Sequence, residues 1–199
     1  QDRNPTMKAL RERIAAEGQN LGNGILKIDS LLNHQIYPDL MLEMGKEMAS
    51  GFAGVAIDRI LTVEISGIAP ALMTGLALGV PVVYARKVKP ITMAGPVFLE
   101  TAPSHTKGVE VNLLVSAEFL HPNENILIVD DFLATGKTLL ALARMVRSAK
   151  ANLVGVGVVV EKSFEGGRGE LLKAGYTHIP VRSLVTITSM DNGKIEMAD

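Results

Sequence analysis

Residues 126–138 have the sequence ILIVDDFLATGKT, which joins an apolar run, two adjacent acids and a Gly-Lys-Thr segment. The apolar run is typical of a strand that is buried on both faces. The residues after Gly136 place apolar side chains on one helical face, at Leu139, Leu142, Ala143 and Val146. The stretch therefore predicts a strand over 125–131, a short turn, and a helix over 136–150.

Further apolar runs at 59–64, 80–85 and 153–161 alternate with segments of helical character at 38–52 and 68–78. This alternation favours an α/β fold with a mostly parallel central sheet that is flanked by helices. The segment 38–52 carries a stripe of methionines at Met41, Met44 and Met48. We expect these side chains to fill the core, because methionine adapts to irregular gaps between helices and sheets.

The composition excludes several classes of protein. The 20 Lys and Arg residues against 21 Asp and Glu give a net charge of −1, which offers no overall attraction for nucleic acid or an anionic membrane. The absence of cysteine excludes disulfides, thiol nucleophiles and Cys-based zinc sites. No apolar run approaches the roughly 18 residues of a membrane span. We expect a cytoplasmic protein without a nucleic-acid or membrane partner.

The chain length of 199 residues predicts one domain, which we place at 7–199. Residues 1–6 are polar and are expected to be a tag remnant or a disordered tail. Segments at about 20–37 and 180–199 carry short apolar runs that we expect to form a small hood over one end of the sheet. Residues 86–108 hold three prolines and two glycines, which predicts a long mobile loop that can include some strand.

The turn after the two acids has the composition of an anion-binding site. Thr135 and Thr138 offer hydroxyl donors, Gly136 allows close approach of the backbone, and the first helical N–H groups lack partners within the helix. A phosphate group fits these donors. The alternative is that Thr135 only caps the helix and the acids only end the strand. A P-loop is excluded, because Asp131 occupies the position of its first glycine.

The stretch 126–138 resembles the signature of type I phosphoribosyltransferases, in which a hydrophobic strand precedes two acids and a Thr-Gly turn. The resemblance implies the fold of that family and phosphoribosyl pyrophosphate as a substrate. It also implies that Asp130 and Asp131 are catalytic and face the ribose hydroxyls, while the 5′-phosphate is wrapped by Ala134, Thr135, Gly136, Lys137 and Thr138. It implies Mg²⁺ as the cofactor, held mainly through the substrate rather than by a protein metal site.

Two other segments match pyrophosphate-binding positions of the family. These are the Glu-Ile-Ser-Gly turn after the strand at 59–64, comprising Glu64, Ile65, Ser66 and Gly67, and a basic cluster comprising Arg86, Lys87 and Lys89. On composition alone the first is an ordinary strand–helix connection and the second a solvated surface. The basic residues of the family often reach a neighbouring subunit, which implies a homodimer.

Within the family, the resemblance is to bacterial members that use xanthine. It rests on ILKIDSLLNHQI near the N-terminus, on VVVEKSF followed by GRGELLKAGY, and on SLVTI and DNGKI near the C-terminus. It implies base contacts by Leu26, Asn33 and Lys162. Lysine and asparagine can donate to the two carbonyl oxygens of xanthine. Without the resemblance, Asn33 would be a turn residue and Lys162 a surface charge.

The resemblance implies transfer of phosphoribose from phosphoribosyl pyrophosphate to xanthine, giving xanthosine monophosphate and pyrophosphate in purine salvage. Ala134 stands where hypoxanthine-guanine members usually carry Asp near N7 of the base, so no general base is assigned. Two alternatives stay open. One is transfer to guanine or hypoxanthine, and the other is a sensor of phosphoribosyl pyrophosphate without catalysis. The second is disfavoured, since about 25 residues precede Leu26, too few for a DNA-binding domain.

Overall fold

A computed structural model of the chain describes residues 5–103 and 110–198. Within these ranges the α-helices are α1 (Pro5–Glu17), α2 (Pro38–Ser50), α3 (Ile68–Leu78), α4 (Lys137–Ser148) and α5 (Gly167–Lys173). The strands are β1 (Gln19–Asn20), β2 (Leu26–Lys27), β3 (Arg59–Val63), β4 (Val82–Ala85), β5 (Val97–Pro103), β6 (Glu110–Ser116), β7 (Asn125–Leu133), β8 (Asn152–Lys162), β9 (Val181–Ser189) and β10 (Glu196–Met197).

The main sheet has the strand order β10-β9-β8-β7-β3-β4. All neighbours pair in parallel except β9 and β10, which are antiparallel. The predicted α/β fold with a mostly parallel sheet is confirmed. Because parallel strands end at the same edge, the segments that follow β3, β7 and β8 converge there, which is where ligands bind in open α/β sheets.

The central strand β7 is buried on both faces of the sheet. Ile126, Leu127, Ile128 and Val129 are each 0% exposed, as the uninterrupted apolar run predicts. One face is covered by α2, whose Met41, Met44 and Met48 are buried in the core as predicted. The other face is covered by the apolar stripe of α4. The site-bearing edge therefore lies on a rigid, double-sided core.

The strand β7 is longer than the sequence predicts. It continues past 131 to Leu133, because Phe132 and Leu133 still pair with Val160 and Glu161 of β8. Both acids thus lie within a paired strand rather than in the turn that follows it. This placement gives their backbone the rigidity of the sheet.

The segment predicted as a loop at 86–108 includes strand β5, which pairs with β6 in an antiparallel ribbon. The ribbon is attached to the main sheet by mutual backbone hydrogen bonds of 2.8 Å between Arg86 and Leu114. It is tied to α4 by a hydrogen bond of 2.7 Å from Arg144 Nε to Glu100 Oε2. Residues 104–108, the end of the predicted loop, lie outside the described ranges.

The terminal segments differ in part from the predicted hood. β1, β2 and a helical turn at Asp29–Asn33 form a small N-terminal layer that buries Leu31 and Leu32. The C-terminal segment instead extends the main sheet, since β9 pairs with β8 and buries its apolar side chains on both faces. Its end contacts the N-terminal layer through hydrogen bonds from Asn20 Nδ2 to the Met190 carbonyl at 2.6 Å and to the Lys194 carbonyl at 3.1 Å.

The predicted tail at 1–6 lies partly beyond the described residues, which begin at Pro5. The first helix α1 starts there, two residues before the helical pattern was expected to begin. Across the described ranges, no helix combines the length and the apolar character needed to cross a membrane.

Candidate active site

The segment between β7 and α4 forms a tight turn at the carboxyl edge of the sheet. Gly136 has φ +79° and precedes the first residue of α4. A Cβ at Gly136 would lie 2.9 Å from the Gly167 carbonyl oxygen, so this position requires glycine both for its φ and for its close contact. The turn is fixed from the other side by a 3.0 Å hydrogen bond from Gly167 N to the Ala134 carbonyl. Residues 134–138, here called the phosphate loop, are thereby held against the start of α5.

Only some of the predicted phosphate-binding residues of the phosphate loop line a cavity. Ala134, Gly136 and Thr138 line a cavity of about 440 Å³. The Lys137 side chain is exposed, and Thr135 Oγ1 is buried without a hydrogen-bond partner in the described part of the chain. Neither Thr135 nor Lys137 is among the residues that line the cavity. Their phosphate-binding role stays a prediction.

The two acids of β7 have different environments. Asp130 is 3% exposed, and it accepts a 2.9 Å hydrogen bond from the backbone N–H of Asp131. Burial, and then the charge of Asp131, raise the pKa of Asp130 well above its ordinary value. Asp131 is only half-buried and accepts a 2.8 Å bond from the backbone N–H of Phe132. Both carboxyl groups line the cavity, and Asp131 is the more accessible of the two.

The turn between β3 and α3 lies directly on Asp130. A Cβ at Gly67 would overlap Thr62 Oγ1 and would lie 2.5 Å from Asp130 Oδ1, so only glycine allows this approach. The Glu64–Ile65 peptide of the turn is cis. All four predicted pyrophosphate-binding residues of this turn, Glu64, Ile65, Ser66 and Gly67, line the same cavity as the phosphate loop.

The basic cluster after β4 is divided by the structure. Lys87 lines the cavity, and its backbone N–H donates a 2.7 Å hydrogen bond to Glu64 Oε1. The Nε atom of Arg86 lies 3.2 Å from Oε2 of Glu64. Arg86 lines a second cavity of about 410 Å³ beside β4. Lys89 is exposed and belongs to neither lining. Of the three predicted cations, the structure therefore places Lys87 alone at the main cavity.

The opposite end of the cavity is formed by the N-terminal layer and the end of β8. Leu26, Asn33 and Lys162 all line it, as the resemblance implies for a base site. Asn33 Nδ2 donates to Ser66 Oγ at 3.0 Å and to Asp131 Oδ2 at 3.3 Å, so it connects this end to the acids. Lys162 Nζ donates a 2.7 Å hydrogen bond to the Gly24 carbonyl.

The cavity also includes residues that sequence reasoning missed. Phe132 follows the two acids, and its ring centroid lies 5.9 Å from Lys162 Nζ. Glu165 forms an ion pair with Lys162 at 2.6 Å. The spacing of Lys162 and Glu165, three residues apart, was the available signal. Ala102, Pro103, Val111 and Leu113 of the β5–β6 ribbon complete the wall, and only tertiary packing brings them there.

Comparison with known families and proteins is consistent with this geometry. Residues 33–175 match the phosphoribosyl transferase domain family. The chain belongs to this family of transferases. Over 187 residues it is 50% identical to the xanthine phosphoribosyltransferase of Deinococcus deserti, covering 94% of this chain and 95% of that protein. The enzyme of the same name from Moorella thermoacetica is 47% identical over 190 residues, covering 96% and 95%. The family resemblance that was based on residues 126–138 is confirmed.

Solved structures of the family confirm the fold of this transferase. The adenine phosphoribosyltransferase of Trypanosoma brucei has a TM-score of 0.74 at 21% identity, covering 89% of this chain and 79% of that chain. The corresponding enzyme of Thermoanaerobacter pseudethanolicus has a TM-score of 0.71 at 23% identity, covering 89% and 99%. At these identities the likeness concerns the scaffold and carries no information about the base.

Proposed function

We propose that this chain transfers the phosphoribosyl group of phosphoribosyl pyrophosphate to xanthine, giving xanthosine 5′-monophosphate and pyrophosphate in purine salvage. The observation that carries the proposal is the single cavity of about 440 Å³ that joins three kinds of surface. These are the phosphate loop, the acids of β7 with the turn at 64–67, and the polar groups of Asn33 and Lys162. The xanthine phosphoribosyltransferases among its relatives support the choice of base.

In this reaction a ring nitrogen of the purine forms a bond to C1′ while the bond from C1′ to the pyrophosphate oxygen breaks. The nitrogen loses its proton to solvent, since no general base is assigned, and pyrophosphate leaves with the electron pair of the bond that breaks. The phosphate loop binds the 5′-phosphate through backbone N–H groups at the start of α4. Asp130 and Asp131 face the ribose, where positive charge develops. Positioning of the substrates and stabilisation of the developing charge thus account for most of the lowering of the activation barrier.

Pyrophosphate is bound at the turn formed by Glu64, Ile65, Ser66 and Gly67. The backbone N–H groups of this turn and the Lys87 ammonium are the donors for its oxygens. Lys87 is fixed by its backbone bond to Glu64 and therefore lies at the rim of the cavity beside the turn. Arg86 acts by neutralising Glu64, since it contacts that carboxylate rather than the cavity. Lys89 contributes only to the local positive potential.

The cavity also suits Mg²⁺ held mainly through the substrate, because Glu64, Asp130 and Asp131 line it and oxygen is the ligand that Mg²⁺ prefers. Among the described residues, no three acidic or histidine side chains are grouped closely enough to form a metal site of the protein alone. Asp131, the more accessible acid, would hold the ion together with oxygens of the substrate. When bound, Mg²⁺ supplies positive charge next to the departing pyrophosphate. The protein groups orient the substrate around it.

A homodimer is part of the proposal. The segment after β4 that carries Lys87 also exposes Val88 (72%) and Ile91 (98%), and Tyr84 of the same edge is 42% exposed. Apolar side chains at this density beside a sheet edge favour contact with a second subunit. Sedimentation equilibrium checks this by the mass of the particle in solution. The cytoplasmic location of the enzyme stays a prediction.

The proposal is tested by product analysis with xanthine, phosphoribosyl pyrophosphate and Mg²⁺, followed by chromatography of the nucleotide and assay of pyrophosphate. Equal amounts of xanthosine monophosphate and pyrophosphate are expected, with Asp131→Asn as a control of much lower rate. Binding of phosphoribosyl pyrophosphate without turnover on xanthine, guanine or hypoxanthine would contradict the enzyme and favour the sensor.

A further inference from the structure

The ammonium group of Lys162 is already held on two sides. The residue ends β8 and its side chain is 12% exposed. Nζ lies 2.6 Å from Glu165 Oε1 and donates a 2.7 Å hydrogen bond to the carbonyl of Gly24. An ammonium has three N–H donors. The two contacts leave one N–H of Lys162 for a group inside the cavity that it lines.

Glu165 is built into the same wall. Its side chain is 21% exposed and lines the cavity, and a Cβ at Gly24 would lie 3.2 Å from its Oε1. The chain reaches this position through three successive residues with positive φ, namely Gly22 at +83°, Asn23 at +51° and Gly24 at +72°. The backbone of the N-terminal layer is thus shaped to fit against the Lys162–Glu165 pair.

A second Lys–Glu pair with the same spacing, outside the cavity, is far more exposed to water. Lys173 Nζ lies 2.7 Å from Glu170 Oε1, but their side chains are 75% and 48% exposed. Exposed pairs of this kind are screened by water and contribute little. The pair of Lys162 and Glu165 is largely removed from water, so its charges act on a bound ligand at short range.

We infer that Glu165 is a positioning residue that determines which form of the base is bound. Glu165 neutralises the charge of Lys162, so the pair adds no net charge to the cavity. Lys162 still offers one N–H donor to the base. A site of this kind binds the neutral oxopurine in preference to its anion. This inference rests on the proposed function, in which Lys162 contacts xanthine. It assigns the selection of the charge state to a side chain outside the predicted site residues.

Xanthine makes this selection chemically meaningful, because it loses a ring proton near neutral pH, whereas hypoxanthine does so at more alkaline pH. An ammonium without its carboxylate would attract the xanthine anion. At an effective dielectric constant of about 20, one unpaired charge at contact distance changes the preference by tenfold or more.

Other charged groups around Lys162 act equally in the wild type and in a variant at Glu165. Asp130 and Asp131 of β7, with Glu64 and Lys87, line the same cavity. Lys27 of β2 lies 3.9 Å from Asp29, and Glu161 of β8 is paired with Arg168. The difference between the two proteins therefore reports the charge of Glu165.

The test is the pH dependence of kcat/KM for xanthine and for hypoxanthine in Glu165→Gln, with Glu170→Gln as the matched control. Glutamine keeps an acceptor for Lys162 and removes the charge. In the wild type and in Glu170→Gln, kcat/KM for xanthine falls as xanthine ionises. In Glu165→Gln the anion is bound as well, so this fall is shallower, and kcat/KM for xanthine at alkaline pH, relative to its value below the pKa of xanthine, is about tenfold higher than in the wild type. The pH profile for hypoxanthine keeps its shape, because hypoxanthine ionises only at more alkaline pH, and the KM for phosphoribosyl pyrophosphate stays unchanged.

Glu165→Asp, which keeps the charge, is expected to restore the wild-type profile. Coincident xanthine profiles in the wild type and Glu165→Gln overturn the inference, as does an equal loss for both bases at every pH. In both cases the proposed function survives, because the wild type still uses xanthine. If the wild type does not turn over xanthine at any pH, the proposed function fails and the inference fails with it.

Discussion

Asp130 shows how a side chain of the proposed site differs from a surface acid. It is buried beneath the turn at 64–67, where Gly67 approaches its Oδ1. The hydroxyl of Thr62, which lies against the same glycine, has no hydrogen-bond partner among the described residues. The raised pKa of Asp130 follows from this burial and from the neighbouring Asp131. The sequence predicts the pair of acids but not which of them is buried, since burial depends on a turn 63 residues earlier.

Replacing Asp130 by Asn is expected to increase stability while lowering turnover at least tenfold. A carboxyl group whose pKa is raised on folding stabilises the protein below its unfolded pKa, and this contribution is lost as pH rises through the folded pKa. Asn does not ionise and has no such loss, so the free energy of unfolding of the variant is higher by about 1–2 kcal/mol at mildly alkaline pH. Urea unfolding of both proteins at acidic and alkaline pH measures this difference in the free energy of unfolding. A stability difference that does not grow with pH would contradict the explanation.

Lys87 and Arg86 are neighbours with different expected effects. Lys87 lines the cavity, whereas Arg86 contacts Glu64 and the second cavity. Lys87→Met is therefore expected to raise the KM for phosphoribosyl pyrophosphate about tenfold and to leave the Kd of the nucleotide product nearly unchanged, since the product lacks pyrophosphate. Lys173→Met, at an exposed pair, is the control. Equal weakening of substrate and product binding would remove Lys87 from the pyrophosphate site.

At the scale of elements, the phosphate loop depends on α5 as much as on α4. A Cβ at Gly167 would overlap the Ala134 carbonyl oxygen and would lie 2.7 Å from Gly136 N. Gly167→Ala is expected to displace the loop and to raise the KM for phosphoribosyl pyrophosphate by tenfold or more. Gly169→Ala of the same helix is the control, because its Cβ meets no atom within 4 Å. Steady-state kinetics compare the two, and similar KM values would show that the contact does not shape the loop.

The elements also show what the sequence could predict. The strands β3, β7 and β8 and the helix α3 were predictable, because long apolar runs and helical periodicity are local signals. The bounds of strand β5 within the segment 86–108 are not predictable, since its half-exposed residues and Glu100 do not form an apolar run. The position of β9 in the main sheet depends on its pairing with β8. The ribbon residues of the cavity wall are not predictable for the same reason, since tertiary contacts alone bring them to the site. For Glu165 the sequence offers one signal, its position three residues after Lys162.

At the scale of the whole molecule, one scaffold serves different bases. Adenine phosphoribosyltransferases share this fold at TM-scores of 0.71 and 0.74, although their identity to this chain is only 23% and 21%. What these structures share with this chain is the fold built on the parallel sheet. In the proposed function, the base is selected at the end of the cavity that Asn33, Lys162 and Glu165 line. There we expect the remaining N–H of Lys162 to donate to a carbonyl oxygen of the base.

The most direct measurement is a competition in which xanthine, guanine, hypoxanthine and adenine at equal concentrations share limiting phosphoribosyl pyrophosphate with Mg²⁺. The ratio of the nucleotides formed gives the ratio of kcat/KM values. We predict that xanthosine monophosphate is the main product, exceeding inosine monophosphate by about ten- to a hundredfold, because a base with one carbonyl leaves a buried donor unpaired. A mixture dominated by the guanine, hypoxanthine or adenine nucleotide would contradict the assignment.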